Sequence, residues 1–331
     1  MTQVRLAGTK DAEQILSLIR NCYGETYVEQ EWLDPERLMS SLETGATVYA
    51  LAEDRGAIVG QVALERINAQ LWLHSRAVVS LAYRGQGLLR RMSEPLLGEV
   101  AASRGAQLVL GSSVTHHTHT QRFNLRAGFS PLGLLLGIYP GIQPAGPDPI
   151  PDVVSGVLMG LPCNSSWETR STRLPAPLAD QVQRRLAALG ISCIKLPVAG
   201  TTQEAPLPAL VSRHGPSGRV HLQFCPQGDT DPLSSDWLQA ERGGGGRVFW
   251  ADVPLSLLAS HATAQALLAL GFTFGAAVPL AGVEGEDVVR LQRCEDPLPR
   301  GDIQALPEIS ELVGEVYQQH ERARTSLAPS A

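Results

Sequence analysis

The chain has 331 residues, a length of about two average domains at roughly 150 residues each. Hydrophobic residues make up 44% and charged residues 18%, a globular composition that excludes a disordered tail or a fibre. The net charge of −6 gives the whole molecule no electrostatic reason to seek nucleic acid or an anionic membrane.

Of the 27 cationic residues only Lys10 and Lys195 are lysines, a bias attributed to a GC-rich bacterial genome. The five cysteines, Cys22, Cys163, Cys193, Cys225 and Cys294, form no CxxC pair and are odd in number, which disfavours a disulfide framework or a structural zinc site. Met1 to Lys10 shows no basic-then-apolar leader, and no run of 18 apolar residues occurs, so a soluble cytoplasmic protein is expected.

In chain order, Val4 to Ala7 is a first strand candidate, and Thr9 is placed to N-cap a helix with Asp11 and Glu13 in its first turn. Ala12, Ile15, Leu16, Ile19 and Cys22 recur at helical spacing and mark its buried face. A second helix is expected around Pro35 to Leu42. The apolar runs Thr47 to Leu51 and Ala57 to Leu64, separated by Glu53-Asp54-Arg55-Gly56, predict a hairpin. A strand from about Leu71 to Leu81 runs into Tyr83-Arg84-Gly85-Gln86-Gly87, followed by a helix carrying Leu88, Met92, Leu96 and Val100. Pro95 inside that helix should kink it or loosen one turn. Then come a strand at Leu108 to Val114, a short helix from Thr118 to Ala127, the exit Gly128-Phe129 and a strand at Leu134 to Tyr139. The expected order is β-α-α-β-β-β-α-β-α-β.

Pro140 to Pro151 holds five prolines and two glycines, the composition of an irregular connector, and the domain boundary is placed at 142/143. Domains 1–142 and 143–331 follow. Beyond it strands are expected at Val153 to Leu161, Val220 to Phe224 and Val248 to Trp250, helices at Pro177 to Leu189 and Ile309 to Arg324, and a Gly/Pro-rich stretch at Thr201 to Ser217. The glycine run Gly243 to Gly246 is expected as a flexible hairpin loop. Leu270-Gly271-Phe272-Thr273-Phe274-Gly275 echoes Ala127-Gly128-Phe129-Ser130, which suggests a divergent duplication.

The turn between the strand ending near Val79 and the helix opening at Leu88 carries the chemistry. Backbone amides at such a helix N-terminus point outward together, and the dipole favours an anion there. There is no Gly-Lys-Ser/Thr and no GxGxxG, so nucleoside triphosphates and dinucleotides lose their support. On Arg84 and Gly87, with Leu89 departing from the pattern at its last position, and on the exit Arg126-Ala127-Gly128-Phe129, the sequence over about residues 3 to 140 resembles the GNAT family of N-acetyltransferases. The resemblance implies an α/β (α+β) fold with a mixed central sheet flanked by helices; the Gly-Phe echo, with no comparable cradle in the second half, suggests a second, degenerate GNAT-like copy there. It implies acetyl-CoA, or another short acyl-CoA, as cofactor. The pyrophosphate would lie on Arg84, Gly85, Gln86, Gly87, Leu88 and Leu89, and the pantetheine arm near Ala77 to Val79, including Val78 and Val79. Thr120 and Asn124 are further cofactor candidates.

The family commonly has a tyrosine as general acid five residues before the Gly-Phe phenylalanine, where this chain has Asn124. An amide cannot protonate a thiolate, although it can hydrogen-bond one. The base is open: the strand before the loop offers Leu73, His74, Ser75 and Arg76, of which alternation puts Leu73 and Ser75 on the acyl side and turns His74 away unless a bulge intervenes, and Glu65 and water are further candidates. His116, His117 and His119 put three of the eight histidines within four residues, and His117 or His116 is the candidate for cofactor contact or acid–base work. Three neighbours on one short turn do not converge as zinc ligands, so no metal is expected.

The resemblance leaves three functions open. The first is transfer of an acyl group from CoA to a small-molecule amine. The second is decarboxylation or acyl transfer to a carrier-protein thiol, and the third is non-catalytic CoA binding. The acceptor would be chosen by the second domain and by the loop from Tyr23 to Trp32. No nucleic acid or membrane partner is expected, and the second half would serve as a lid, a substrate wall or a homodimer surface.

Overall fold

The computed structural model describes residues 2–24, 33–140, 153–163, 167–197, 204–214, 217–296 and 299–327. The loop 25–32 and the 142/143 boundary, with most of the connector around it, lie outside the described residues. Contacts divide the chain into two compact units. The first joins Met1–Ser112 with Pro140–Asp152 and Leu161–Asn164, and the second joins Ser113–Tyr139, Val153–Gly160 and Ser165–Ala331.

The first unit opens with β1 (Gln3–Leu6), α1 (Ala12–Tyr23) and α2 (Pro35–Thr44). Thr9 does not cap α1: Thr9–Asp11 forms a single 3-10 turn, and Asp11 stands at the N-cap, accepting from the Gly8 amide at 2.8 Å and from Arg5 at 2.7 and 2.8 Å. The expected apolar face of α1 is buried, with Leu18 added to it. Asp34 caps α2 through the Glu36 and Arg37 amides, with Pro35 at the first helical position.

Next come β2 (Thr47–Asp54) and β3 (Ala57–Arg66), joined by Arg55 and Gly56, both at positive φ, the two-residue turn that fits strand twist. β4 (Leu71–Val79) follows, then α3 (Leu88–Pro95), a π turn at Leu96–Val100, α4 (Ala101–Ser103) and β5 (Leu108–Val114). Pro95 has no amide to donate and is followed by that wide turn, the loosening its position predicts. The sheet order in this unit is β1-β2-β3-β4-β5, antiparallel except for the β4–β5 pair. One face packs on α1 through Tyr49, Leu51, Ala63 and Val78. The other face meets α3, where Met92 lies against Gly60 and Ser93 against His74.

The second unit contains α5 (His119–Arg126), β6 (Ser130–Pro140), β7 (Val153–Pro162), β8 (Arg170–Thr172), α6 (Ala176–Ala187), β9 (Cys193–Lys195) and β10 (Ala209–His214). It continues with β11 (Arg219–Phe224), α7 (Ser235–Gly243), β12 (Val248–Pro254), α8 (Ser260–Ala269), β13 (Thr273–Val278), β14 (Val288–Cys294) and α9 (Pro307–Leu327). Its strands run β7-β6-β13-β14-β12-β11-β10, while β8 and β9 pair separately. Within the Gly/Pro-rich stretch Thr201 to Ser217 lies the strand β10. One expectation is corrected here. The glycines at Gly243 to Gly246 end α7 and lead into β12, which runs parallel to β11, so they close a helix and not a hairpin.

The echo between the halves has a structural counterpart. β10-β11-α7-β12 repeats the β3-β4-α3-β5 plan, an antiparallel pair followed by a parallel strand reached through a helix. The exits match in detail. Gly128 and Gly271 both take positive φ, Phe129 donates to the Asn124 carbonyl at 2.9 Å, and Phe272 donates to the Leu267 carbonyl at 3.0 Å. Gly133 and Ala276, each four residues beyond its phenylalanine, pair with one another between β6 and β13. The approach there is close enough that a Cβ on Gly133 would fall 1.9 Å from the Gly275 carbonyl oxygen.

Candidate functional site

In the first unit, β4 pairs with β5 only from Leu71↔Leu108 to His74↔Gly111, and then runs on to Val79. Ser75 to Val79 are thereby released from the β5 ladder. Beyond them a 3-10 turn at Leu81–Tyr83 leads to Arg84, Gly85, Gln86 and Gly87, all on the surface except half-buried Tyr83. Gly85 and Gly87 have φ of +76° and +71°, and a Cβ on either would meet nothing within 4 Å. The open space is therefore real, and the two glycines are also what the backbone requires there.

Gly87 is the N-cap of α3 and no side chain caps the helix, so the amides of the first turn, beginning with Leu88 and Leu89, keep no partner within it. Arg84 is anchored by its Nε to the Val79 carbonyl at 3.2 Å, and Tyr83 ties the turn to Asp54 at 3.0 Å. Donors, helix dipole and a cation coincide at one exposed spot, a combination that can hold a pyrophosphate. Val78 is buried against α1 and Val79 is half-buried at the mouth of the turn.

β4 does contain a bulge, at Arg76 and Ala77. Ser75 pairs with Ala63 and Val78 with Gln61, so β4 spends one more residue than β3, and Arg76 takes φ +54°. The bulge lies after His74, which keeps its expected direction. His74 Nε2 is 2.9 Å from Ser93 Oγ on the α3 side, and burial pulls its pKa down to about 4. Ser75 lies on the opposite face, with its Oγ buried and unpartnered. Around it are two groups that the sequence reading missed, Tyr49 and Gln61, together with Arg76 and Glu65. Arg76 donates to Tyr49 Oη at 2.5 Å and to Glu65 Oε2 at 3.2 Å. A bulge inside an apolar strand has no periodicity signal, so Arg76 read as one more strand residue.

The remaining candidates belong to the second unit. His116 and His117 pack edge to face with ring centroids 4.4 Å apart, and His117 and His119 are 5.2 Å apart. Burial lowers the pKa of His116, whose Nδ1 is buried without a partner, as is Thr120 Oγ1. Thr118 stands at the N-cap of α5 but makes no cap hydrogen bond. Instead Gln121, fully buried, organises the histidine turn. Its Nε2 donates to the carbonyls of Val114, His117 and Gln304, and its Oε1 accepts from the Leu306 amide at 3.0 Å. Asn124 is buried with its amide donating to Ser113 Oγ at 2.9 Å. Among the described residues no group of three or more His, Cys, Asp or Glu side chains is arranged to hold a metal, and no helix is long and apolar enough to cross a membrane.

No protein-family model matches the chain, and no curated protein does so. Solved structures do. The chain is similar to yncA from Salmonella typhimurium with its cofactor acetyl-CoA at 14% identity and a TM-score of 0.41, over 51% of this chain and 97% of that one. It is similar to an N-acetyltransferase from Staphylococcus aureus Mu50 at 14% identity and a TM-score of 0.40, over 50% and 99%. The ribosomal-protein-S18-alanine N-acetyltransferase from Escherichia coli matches at 15% identity and a TM-score of 0.40, over 51% and 97%.

Proposed function

We propose that the first unit binds acetyl-CoA, or another short acyl-CoA, and serves transfer of the acyl group to an amine. One observation carries the reading. An uncapped helix start behind Gly85 and Gly87 lies at the end of a strand that has left its parallel neighbour. A plain strand-to-helix turn needs neither the unfilled space over both glycines nor a stretch, Ser75 to Val79, that has left the β5 ladder while still paired with β3.

Arg84 to Leu89 would hold the pyrophosphate, and Val78 and Val79 would border the pantetheine arm. The bound group supplies an acyl carbon already activated as a thioester. The chain supplies position and proton management, with Ser75 and Glu65 on the sheet face beside the open strand. His116, His117 and Thr120 are proposed for acid–base work or cofactor contact on the strength of their place in chain order, directly after β5. His116 suits a proton acceptor because burial favours its neutral form. We further propose that 143–331 derives from a second copy that has lost its cradle.

Thermal unfolding with and without millimolar CoA, acetyl-CoA and malonyl-CoA tests this reading. A ligand at 100 times its Kd adds about 2.7 kcal/mol, a midpoint rise of a few degrees. A rise with acetyl-CoA is expected, followed by CoA release when an amine is added. Consumption of malonyl-CoA without an acceptor would replace transfer by decarboxylation. A rise without turnover of any amine or thiol would leave a binding protein, and no rise with any of the three would reduce the turn to a structural one.

A further inference from the structure

We infer, on the basis of the transferase reading above, that the acceptor is a small primary amine bearing hydroxyl or amide groups, recognised by a polar floor on the α1 side of β2, β3 and β4. Tyr49, Ala63 and Ser75 stand directly across from one another on these strands. Gln61 and Glu65, two residues to either side of Ala63, share its face. Ala63, buried with Tyr49 against α1, is the small residue in the middle; of the five hydrogen-bonding side chains around it, Tyr49 and Gln61 are buried beneath and Glu65, Ser75 and Arg76 are half-buried at the edge where a ligand would enter.

Two of those groups are idle. Gln61 is 0% exposed, yet neither its amide nitrogen nor its oxygen has a partner, and Ser75 Oγ is buried in the same condition. An unpaired buried carboxamide costs free energy that Leu or Met at this position would avoid. A ligand that completes the floor must therefore both donate and accept. A hydroxyl or an amide does both, whereas an alkyl chain or a bare aromatic ring does neither.

Charge narrows the class further. The Arg76 guanidinium is already engaged by Tyr49 and Glu65, so the floor has no free cation to attract a carboxylate. Burial raises the pKa of the Tyr49 hydroxyl and keeps it neutral. Glu65 accepts from Arg76 through Oε2, and its side chain, 29% exposed, leaves the carboxylate within reach of an incoming ammonium group. One ammonium N–H bond then breaks, the proton passes to Glu65, and the nitrogen lone pair is freed. Solvent takes the proton from Glu65 afterwards. Ser75 stands on the strand whose far end, Val79, enters the cradle, so floor and cradle share β4.

The test compares CoA release from acetyl-CoA with ethanolamine, glucosamine and glycinamide against butylamine, benzylamine and alanine. The hydroxyl- or amide-bearing amines are expected to exceed the other three at least tenfold in kcat/KM. Gln61→Leu should raise the KM of the best amine at least tenfold, leave the KM of acetyl-CoA within twofold and not lower the unfolding temperature. Titration calorimetry of that amine into the CoA-bound protein should show the same loss of affinity. Glu65→Gln should move the rise of rate with pH to more alkaline values, where the amine loses its proton unaided. Equal or better turnover of butylamine, benzylamine or alanine would overturn the inference, and so would an unchanged amine KM in Gln61→Leu. If acetyl-CoA stabilises the protein but none of the three polar amines releases CoA, the acceptor class is wrong and the cradle stands. If acetyl-CoA gives no stabilisation, the transferase reading itself fails and the acceptor assignment with it.

Discussion

The turn from β4 to α3 and the turn from β11 to α7 occupy matching places in the two halves and have opposite characters. The first carries Arg84 and two glycines at positive φ with open space above them. The second, Cys225 to Ser234, carries Asp229 and Asp231, and its Gly228 is packed so tightly that a Cβ would fall 2.5 Å from the Ala209 amide nitrogen. β4 leaves its parallel neighbour after His74, whereas β11 stays paired with β12 through Gln223, its penultimate residue. Apolar packing preserves the plan of both halves. The capacity to bind an anion depends on much less, namely where a ladder stops and whether a turn is empty, acidic or filled.

The largest expected effect concerns what holds the closed region together. Asp252 is 1% exposed, accepts from Arg290 at 2.7 Å through both oxygens, and lies 2.8 Å from His221 Nε2. Burial pushes its pKa up, but Arg290 and His221 outweigh this and hold it well below the usual carboxylate range. Asp252→Ala leaves Arg290, half-buried with its side chain 13% exposed, without its carboxylate and should cost about 3–4 kcal/mol in urea unfolding. Stabilisation by acetyl-CoA should survive in this variant, and its loss would mean that the two halves do not divide the work as their turns suggest.

Next is the titration of His74, whose counterpart on β11 is the apolar Leu222. With a folded pKa near 4 and an unfolded value near 6.5, the unfolded state binds more protons between them. The contribution is therefore complete above pH 6.5 and fades as pH falls towards 4, by roughly 3 kcal/mol. His74→Leu, which imports the residue of the second half, should flatten that acid slope in unfolding measurements, and an unchanged slope would move the titration elsewhere. A somewhat smaller change is expected from Gly87→Val. It places a β-branched residue at φ +71° and fills the cradle, and should abolish the roughly 2.7 kcal/mol that acetyl-CoA supplies at 100 times its Kd.

The parts of the molecule legible from sequence were those with a local signal. Helical spacing in α1, the Arg55-Gly56 turn, Pro95 and the two Gly-Phe exits each act within a few residues. Gly85 and Gly87 were legible as turn glycines because positive φ asks for that residue. What escaped depends on register across strands. The bulge at Arg76 brings a guanidinium to Tyr49 and Glu65, residues 27 and 11 positions away, and no spacing announces this. Gln61 looked like one more strand position until its burial without partners set it apart. Thr9 and Thr118 read as caps because hydroxyls favour that place, but Thr9 falls inside a 3-10 turn that puts Asp11 at the N-cap, where its carboxylate binds Gly8 and Arg5 and makes no cap bond to the helix, and Thr118 lacks the extended backbone of a side-chain cap.

The smallest expected effect concerns the Asn124 carboxamide on the helix after β5. Asn124 and Leu267 hold the same place in the two exits, and both carbonyls accept from a phenylalanine amide, so the backbone turn does not need the carboxamide. Asn124→Leu should keep the turn and remove only the bond to Ser113, a loss of about 1 kcal/mol. Affinity for CoA, measured by thermal shift, should then stay within twofold. A tenfold loss of affinity or turnover at that small cost in stability would show that the carboxamide serves the cofactor, and the difference between the two halves would extend from the cradle to the helix after β5.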